Sequence, residues 1–596
     1  MRLSDKYILA ILVFLTVLVY TPIYGNDFVN WDDPQYFTKN LAVQNFNWNH
    51  LLTKTFVSNY HPLTMLSLAL DNKIFGQNPL GPHCINLILH IVNALLVYYL
   101  VLCLPSTSRH LSFWLALIFA IHPLHVESVA WLSERKDVLS TFLFLGGLVV
   151  YAKQHPIPPK FFLSGKYYLV LLLFFLALNA KSMAVTFPLV LFLLDYIKQR
   201  KLTLLSFFEK LPFFVLSIIY GLVNIWSQSS KARAEKLHFD IFDAISGGTN
   251  SLVLSLSKSL FPTNLSVIYQ RGAVEISGPE YLVAFVISAL VIASVLHFKN
   301  KRKEIVWGAL FFLLTFAPVS GVIPFGNKQI FADRYTYLPF IGLFYAYGVI
   351  VSAFLGNLHL HRSIISKVTF AILLLYAATF SYQSNQRVRV WASTETLMGN
   401  VVVNYPLASI AYCNLGAELK DKGDYLKAME YLQKAIIYNH NDHLSYNNLG
   451  IVYYKLGQRD FAIKYFEKAA MLAPRYANPI YNLANVYRDK GEPEKALFLF
   501  NKAITIDPQS FQAFNNLGIL HLSMGAIDEA IAALSEAIKI NPKFFLSHLN
   551  LAKAYQAKGL LPQALFHYQT CLKFDPQNAE ALSAQRALRG HVSVKY

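Results

Sequence analysis

The second half of the chain repeats itself every 34 residues. The dipeptide Asn-Leu recurs at this step, and so do a glycine, an alanine and a proline. The recurring positions are Asn414, Asn448, Asn482, Asn516 and Asn550; Gly423, Gly457, Gly491, Gly525 and Gly559; Ala428, Ala462, Ala496, Ala530 and Ala564; and Pro474, Pro508, Pro542 and Pro576. A period of this length, kept in register over five copies, predicts an array of identical helical units rather than a globular domain.

The pattern resembles the tetratricopeptide repeat, in which each unit is a pair of antiparallel helices. The glycine permits the turn between the two helices, the alanine lets them approach closely, and the proline stops the second helix. Each pair exposes an apolar face that only its neighbour can cover. We therefore expect a solenoid over about 407–576 with a capping helix at 577–590, which together make a repeat domain at 407–590.

The recurring asparagines have two interpretations. An amide offers two donors and one carbonyl acceptor, so a row of asparagines along the groove is suited to binding the backbone of an extended acceptor polypeptide. Asparagine before leucine is also ordinary in this repeat, where it serves packing. The sequence leaves both open.

The first 382 residues are dominated by apolar runs. Over the whole chain 55% of residues are hydrophobic and only 14% are charged, which is too apolar for a soluble protein of this size. We predict a polytopic membrane domain at 1–382 and a helical joint at 383–406. Eleven candidate spans lie near 7–24, 83–103, 111–122, 138–152, 166–180, 183–197, 211–227, 280–297, 305–320, 337–355 and 366–382. The fold class is thus all-α.

Charge and cysteine content argue against nucleic-acid binding and against a metal site built from cysteines. The net charge of +18 comes largely from short basic clusters between apolar runs, which is how a bilayer sorts charge, so we predict no nucleic-acid partner. The four cysteines lie far apart, with no metal-ligand spacing. We interpret them as packing residues.

The basic clusters also predict an orientation. Clusters such as KQRK at 198–201 and KNKRK at 299–303 fall in alternate loops, which the positive-inside rule assigns to the cytoplasm. Eleven spans that start inside end outside, so the N-terminus is predicted to be cytoplasmic and the repeats extracytoplasmic. The segment 247–261 would change this parity if it crossed, and we interpret it as re-entrant or interfacial.

Charged residues gather in the loops that this orientation places outside. They are Asp27, Asp32, Asp33, Asp71, Glu127, Glu134, Asp137 and Asp333, with Lys54, Arg135, Lys136, Lys181, Lys328 and Arg334. Outward loops are ordinarily poor in cations. An anionic substrate held at the outer face is one reason for these exceptions.

Two of these loops carry a family resemblance. The motifs are NWDD after the first apolar run, HPLT and GPHCINLILHIVNALLVYYL around the second, and HPLHVESVAWLSERKDVL at 122–139. Together with the C-terminal repeats they resemble the transmembrane and tetratricopeptide repeat-containing O-mannosyltransferases, which are GT-C glycosyltransferases. The resemblance covers nearly the whole chain and is strongest in the first 200 residues and in the repeats.

The resemblance implies an inverting membrane enzyme that transfers a sugar from a polyprenyl-phosphate carrier to a hydroxyl group of a protein outside the cytoplasm. It implies a catalytic centre at the acid pair Asp32 and Asp33, joined by Glu127 of the second outward motif, and it implies acceptor proteins as partners of the repeats. The sugar stays open, with mannose as one candidate, and so does the lipid of the carrier.

The chemistry is consistent with these assignments. An attacking hydroxyl group needs a general base, which a carboxylate supplies, and the departing lipid phosphate needs cations. We assign the carrier phosphate to Arg135, Lys136 and Arg334. We predict that Asp32 is the base, because Trp31, Asp32 and Tyr36 together indicate a partly buried polar site.

Several alternatives remain at this point. Asp33 also fits the N-cap of a short helix that begins at Pro34. The grouping of His122, His125 and Glu127 invites a divalent metal, although loop hydrogen bonds explain these histidines better. The rival functions are a lipid-linked glycan polymerase or ligase and a non-enzymatic membrane scaffold. No metal site is predicted, and the sugar donor is a substrate rather than a cofactor.

Overall fold

The computed structural model describes residues 3–592 apart from 106, 155–160, 235–240, 271–275, 277, 322–328 and 357–361. Lys328 therefore lies outside the described residues. The chain divides into two compact units, Met1–Leu407 and Ala408–Tyr596. Both units are built of α-helices, which confirms the predicted fold class. The strands in the described residues are β1 (Tyr269–Gln270) and β2 (Gln329–Phe331), which pair antiparallel.

The first unit contains eighteen of the described helices, and each of the eleven apolar runs is helical over most of its length. The helices are α1 Leu3–Val19, α2 Leu41–Gln44, α3 Trp48–Thr53, α4 Pro62–Phe75, α5 Leu80–Leu102, α6 Arg109–Ile121, α7 Val126–Ala130, α8 Arg135–Ala152, α9 Gly165–Ala180, α10 Phe187–Ile197, α11 Leu204–Phe208, α12 Leu211–Ala234, α13 Ile241–Leu260, α14 Gly278–His297, α15 Arg302–Phe316, α16 Phe340–Gly356, α17 Arg362–Val390 and α18 Thr394–Asn404.

Three of the described helical segments are long and apolar enough to cross a membrane: Leu80–Leu102, Leu204–Ser227 and Gly278–His297. A fourth is added if Arg109–Ile121 and Pro123–Ala130, which meet at a bend of 51°, count as one. Four further apolar segments of 10–17 residues are shorter than the roughly 20 that a straight span needs: Lys6–Val19, Gly165–Ala180, Ser182–Ile197 and Phe340–Gly356. The chain thus has the helices of a membrane protein, while the number of eleven spans stays a prediction.

Two segments differ from the simplest expectation. Residues 247–260 lie within α13, a single helix of 20 residues, and its re-entrant or interfacial position stays a prediction. Helix α13 is also not among the segments long and apolar enough to cross. At the other end, α17 continues without a break to Val390, eight residues past the predicted limit of the membrane domain. Residues 383–406 accordingly fall within the first compact unit.

The second unit contains five helix pairs and a final single helix. They are α19 Ser409–Asp421, α20 Tyr425–Tyr438, α21 His443–Lys455, α22 Arg459–Leu472, α23 Ala477–Asp489, α24 Pro493–Ile506, α25 Phe511–Ser523, α26 Ile527–Ile540, α27 Phe545–Ala557, α28 Leu561–Phe574 and α29 Ala579–Val592. The five turn glycines have φ between 77° and 85°, the left-handed region that a side chain with a Cβ avoids. The five recurring alanines are fully buried between the helices of each pair.

Candidate active site

Asp33 joins the two outward motifs. Its Oδ1 accepts hydrogen bonds from the backbone N–H and the hydroxyl group of Ser133, at 3.1 and 2.5 Å, and its Oδ2 accepts one from the N–H of Val29 at 2.9 Å. The side chain is fully buried. Burial raises the pKa of Asp33 to about 6, although the hydrogen bonds from Ser133 and Val29 act in the opposite direction. Asp33 therefore fixes the loop that carries it to the loop at 131–134.

The helix-cap alternative for Asp33 is wrong. The chain does form a five-residue helical turn at Pro34–Thr38, but the Asp33 side chain makes no capping hydrogen bond to it. Both oxygens of the carboxylate are instead used by Val29 and Ser133. The local sequence pattern could not predict the bond between Asp33 and Ser133, because these residues are 100 positions apart.

Asp32 has different surroundings from its neighbour. It is half-buried, and its charge acts on the phenol of Tyr36 and on the ammonium group of Lys136. The Lys136 Nζ lies 4.9 Å from the centre of the Tyr36 ring and 5.8 Å from that of Trp131. Asp32 is thus the carboxylate of the pair that solvent can reach, and its charge interacts with that of Lys136.

Cations and carboxylates alternate beside the acid pair. Arg334 donates from Nη1 to Glu127 Oε1 at 2.5 Å, and its Nε lies 3.2 Å from Glu134 Oε1. Lys136 and Lys181 approach the same Glu134 carboxylate at 3.2 and 3.7 Å. Glu127 and Glu134 are almost fully buried, whereas the three cations keep 12–17% of their side-chain surface exposed. The cations are therefore the more exposed members of this row.

The two carboxylates of the row have opposite shifts of pKa. Burial raises the pKa of Glu127 to about 7, against the opposing effect of Arg334. Burial also acts to raise the pKa of Glu134, but Lys136, Lys181 and Arg334 outweigh it and bring the value to about 2. Glu134 is therefore ionised at neutral pH, and Glu127 changes its charge close to neutrality.

A small cavity lies between two of the cations. Asp137 pairs with Lys181 at its wall. The cavity is lined by Asp137, Ser140, Thr141, Lys181, Met183, Ala184, Arg334, Tyr337 and Leu338. Its polar wall comes from three separate parts of the chain, the start of α8, the residues after α9 and the residues before α16. Glu134, Asp137 and Lys181 entered the sequence analysis only as loop charges. The ERKD run at 134–137 was the signal that could have placed Glu134 and Asp137 here.

The geometry contradicts the phosphate assignment of Arg135. This side chain is 1% exposed and its Nη2 donates to Asp71 Oδ2 at 2.6 Å and to the Pro82 carbonyl at 2.8 Å. Its Nε donates to Asn86, and its Nη1 lies 3.4 Å from the Ser67 hydroxyl group. A guanidinium group with these partners holds α4, α5 and α8 together, because each nitrogen already has an acceptor.

The histidines of the second motif are packing residues. His122 lies 3.2 Å from the Ser259 carbonyl and accepts from the N–H of Leu124, and His125 lies 2.8 Å from the Phe119 carbonyl. Both rings are buried. Within the described residues, no group of three or more His, Cys, Asp or Glu side chains could hold a metal ion. Since the site carboxylates alternate with cations that already neutralise them, this donor set does not fit a divalent metal.

Three of the recurring asparagines donate to other asparagines of the preceding repeat. The Asn482 amide donates to Asn447 at 3.0 Å, Asn550 donates to Asn515 at 3.1 Å, and Asn516 donates to Asn485 at 2.8 Å and to the Tyr481 hydroxyl group at 3.0 Å. Asn448 accepts from Lys420, and Asn414 donates to Ile410 in its own helix. These bonds support the packing interpretation, and acceptor binding by the asparagines stays a prediction.

The fold and the site together define a membrane protein with a charged loop site and a tetratricopeptide repeat unit. Tetratricopeptide repeat family models match residues 410–439, 441–509, 499–532 and 521–559. A crystal structure of the MamA protein is 26% identical, with a TM-score of 0.25, and covers 29% of this chain and 94% of its own.

Curated relatives match the membrane half as well. A protein O-mannosyl-transferase of Caenorhabditis elegans is 24% identical over 437 residues, which is 70% of this chain and 60% of the relative. The Homo sapiens protein O-mannosyl-transferase TMTC4 is 24% identical over 494 residues, covering 70% of this chain and 64% of its own. The chain thus spans a little under two thirds of the length of these relatives. The resemblance to the transmembrane and tetratricopeptide repeat-containing O-mannosyltransferases is confirmed.

Proposed function

We propose that the chain is a membrane glycosyltransferase. It moves a sugar, with mannose the first candidate, from a polyprenyl-phosphate carrier to a serine or threonine hydroxyl group of a protein outside the cytoplasm. The resemblance to protein O-mannosyl-transferases supports the transferase class. The row of partly exposed cations supports a phosphate-bearing donor, because charge-assisted contacts are what a phosphate requires.

One observation supports the catalytic assignment: the two adjacent carboxylates differ in burial and in their partners. Asp33 is buried and uses both oxygens in hydrogen bonds that hold two loops together. Asp32 is half-buried, and its charge interacts with that of Lys136. In our proposal Asp32 is the general base and Asp33 positions it.

The proposed step follows from these positions. Asp32 takes the proton of the acceptor hydroxyl group, and the oxygen of that hydroxyl group attacks the anomeric carbon of the sugar. The bond from that carbon to the phosphate oxygen breaks, and the electron pair leaves with the carrier phosphate. Attack from the face opposite the leaving group inverts the anomeric centre.

The cations of the row stabilise the phosphate that departs. Arg334, Lys136 and Lys181 take this role in our proposal, and Lys181 replaces Arg135 in the assignment from sequence. Glu127 and Glu134 hold these cations in place through direct ion pairs. Glu127 is thus a positioning carboxylate rather than a second base, since it is fully buried and bonded to Arg334.

We propose the topology that the basic clusters predict, with the N-terminus in the cytoplasm and the repeat unit outside. The site then lies at the outer membrane surface, where a carrier lipid presents its phosphosugar. The repeats select the acceptor protein, as solenoids of this kind commonly bind peptides. Their recurring residues serve packing and turns, which supports a binding role rather than a chemical one.

The test uses purified full-length protein in lipid nanodiscs, a radiolabelled polyprenyl-phosphate mannose and an unfolded protein acceptor. Asp32→Asn keeps the shape of the side chain but removes the base, and we expect transfer to fall about 10²–10⁴-fold. Asp27→Asn is the matched control in the same loop, because Asp27 is exposed. It should transfer sugar at the wild-type rate.

Asp33→Asn separates positioning from chemistry. An amide presents a donor where the Asp33 carboxylate accepts from Val29 or Ser133, so we expect a loss of stability of about 1–3 kcal/mol. Asp32→Asn should leave thermal stability unchanged. Near-normal transfer by Asp32→Asn would show that Asp32 is not the base.

A further inference from the structure

Residues far along the sequence contact the loop at 26–33, which carries the acid pair and which we call the acid loop. Residues 385–394, which we call the connector, comprise the end of α17, the three residues that follow it and Thr394, the first residue of α18. The N–H of Asp27 donates to the Ala392 carbonyl at 2.9 Å, and the N–H of Asn30 donates to the Thr394 hydroxyl oxygen at 2.9 Å. The connector thus holds the backbone of the loop just before the acid pair.

The connector also contacts the ring that lies under the cations. Trp391 stacks on Trp131, with ring centres 5.5 Å apart and planes 21° from parallel, and both rings are buried. The Arg334 guanidinium lies 5.4 Å from the centre of the Trp131 ring, and the Lys136 ammonium lies 5.8 Å from it. A shift of Trp391 would therefore move the platform on which two phosphate-facing cations rest.

A third contact reaches the neighbour of Arg334. Arg387 Nη2 lies 3.5 Å from Asp333 Oδ2, and Arg387 Nη1 donates to the Leu265 carbonyl at 3.1 Å and to Asn400 at 2.9 Å. Asp333 is fully buried and accepts a hydrogen bond from Tyr269 at 2.7 Å. The ion pair fixes the start of the turn that carries Arg334.

We propose that the connector is a positioning element of the active site, with Thr394 as the residue that fixes the acid loop. This inference rests on the proposed function. Three independent contacts meet the acid loop, the cation platform and the Arg334 turn, and all come from residues within eight positions of one another. Thr394 touches no reacting atom. It accepts a backbone hydrogen bond two residues before Asp32, and small displacements of a reacting group are costly in rate.

The test compares two substitutions at one position. Thr394→Val keeps the shape but removes the oxygen that accepts from Asn30, whereas Thr394→Ser keeps it. We expect Thr394→Val to lower kcat about 10–100-fold with an unchanged KM for the donor. Thr394→Ser should restore most of kcat. Arg389→Ala is the control and should behave as wild type, because the Arg389 side chain is exposed and donates to Asn385 of its own helix rather than to the acid loop.

Hydrogen exchange gives a readout that needs no enzymatic turnover. In Thr394→Val the amides of residues 26–33 should exchange faster than in wild type, and in Thr394→Ser they should be protected again. Equal kcat and equal exchange in Thr394→Val and wild type would overturn the inference. A wild-type protein that transfers no sugar would overturn the proposed function, while the exchange comparison would still decide whether Thr394 fixes the loop.

A second variant covers the case in which Thr394→Val does not fold. Trp391→Leu fills much of the volume but removes the ring that stacks on Trp131. We expect kcat to fall about tenfold, because Arg334 and Lys136 lose the support of their platform. Wild-type kcat in a folded Trp391→Leu protein would contradict the role of the connector.

Discussion

At the scale of single residues, position in the sequence says little about the task of a charged group. Asp32 and Asp33 are neighbours, yet one is half-buried beside a cation and the other is fully buried in three hydrogen bonds. The consecutive residues Arg135 and Lys136 divide in the same way. Arg135 bonds within the helix packing, and Lys136 faces the candidate site. Burial and partners decide the role in each case.

The buried Glu127 should make stability depend on pH. Burial raises its pKa from 4.5 to about 7, so between these values the folded protein holds a proton that the unfolded chain releases. Its contribution to stability is thus present at low pH and is lost as the pH rises through about 7. The contribution is on the order of 3 kcal/mol.

Glu127→Gln tests this directly. The variant should show a shallower decline of thermal stability between pH 5 and pH 7.5 than wild type, measured by differential scanning fluorimetry in detergent. Arg334 keeps Glu134 as its acid partner in this variant. Glu395→Gln, an exposed glutamate of α18, is the control and should keep the wild-type slope. An identical slope in Glu127→Gln would contradict the raised pKa.

At the scale of elements, the ends of helices place the functional groups. Helix α6 stops at Ile121 because His122 precedes Pro123, and the residue before a proline avoids helical geometry. The chain then turns by 51° into Pro123–Ala130, which carries Glu127. In the repeats, positive-φ glycines end the first helix of each pair and set the register of the next. Breaks in helices thus position residues as much as the helices do.

The amide ladder predicts a difference between two equivalent asparagines. Asn516 donates to Asn485 and Tyr481 of the preceding repeat, whereas Asn414 donates within its own helix. Asn516→Ala should therefore destabilise the repeat unit by about 1–2 kcal/mol, and Asn414→Ala by less. Hydrogen exchange of α23–α26 in the full-length protein measures this.

Acceptor kinetics complete that experiment. If packing is the main role of the ladder, Asn516→Ala changes the KM for a protein acceptor by less than about threefold, a difference of under 1 kcal/mol. A KM raised tenfold at unchanged stability would instead favour the peptide-binding interpretation of the asparagines.

At the scale of the whole molecule, the boundary between the units decides where the chain can be divided. The first compact unit ends at Leu407, whereas the apolar runs end near 382. The residues between these limits include Arg387, Trp391 and Thr394, whose contacts all lie within the first unit.

Truncation should distinguish the two limits. A chain ending at 407 keeps every connector contact, and we expect it to elute as a monodisperse species in detergent. A chain ending at 382 exposes the buried Trp131 and leaves the buried Asp333 without Arg387, and loss of one partner of a buried pair costs about 3–5 kcal/mol. It should aggregate or show a lower Tm in fluorescence-detected size exclusion. Equal behaviour of the two chains would contradict the importance of the connector.

The sequence by itself determined the helical class, the register of the repeats and the loops in which charges gather. These features are local or periodic. The 34-residue step and the apolar runs fix which face of each helix is buried, and glycine and proline fix the turns. The motifs also supplied the resemblance to a transferase family.

Only the tertiary structure decided which charges meet. Asp33 finds Ser133 across 100 positions, Arg334 finds Glu127 across 207, and Asn30 finds Thr394 across 364. No local sequence pattern predicts these pairs, because they depend on how the helices pack around one another. The same packing buries Arg135 and leaves Lys136 and Lys181 partly exposed. Arg135 tolerates burial because the packing surrounds its guanidinium group with acceptors.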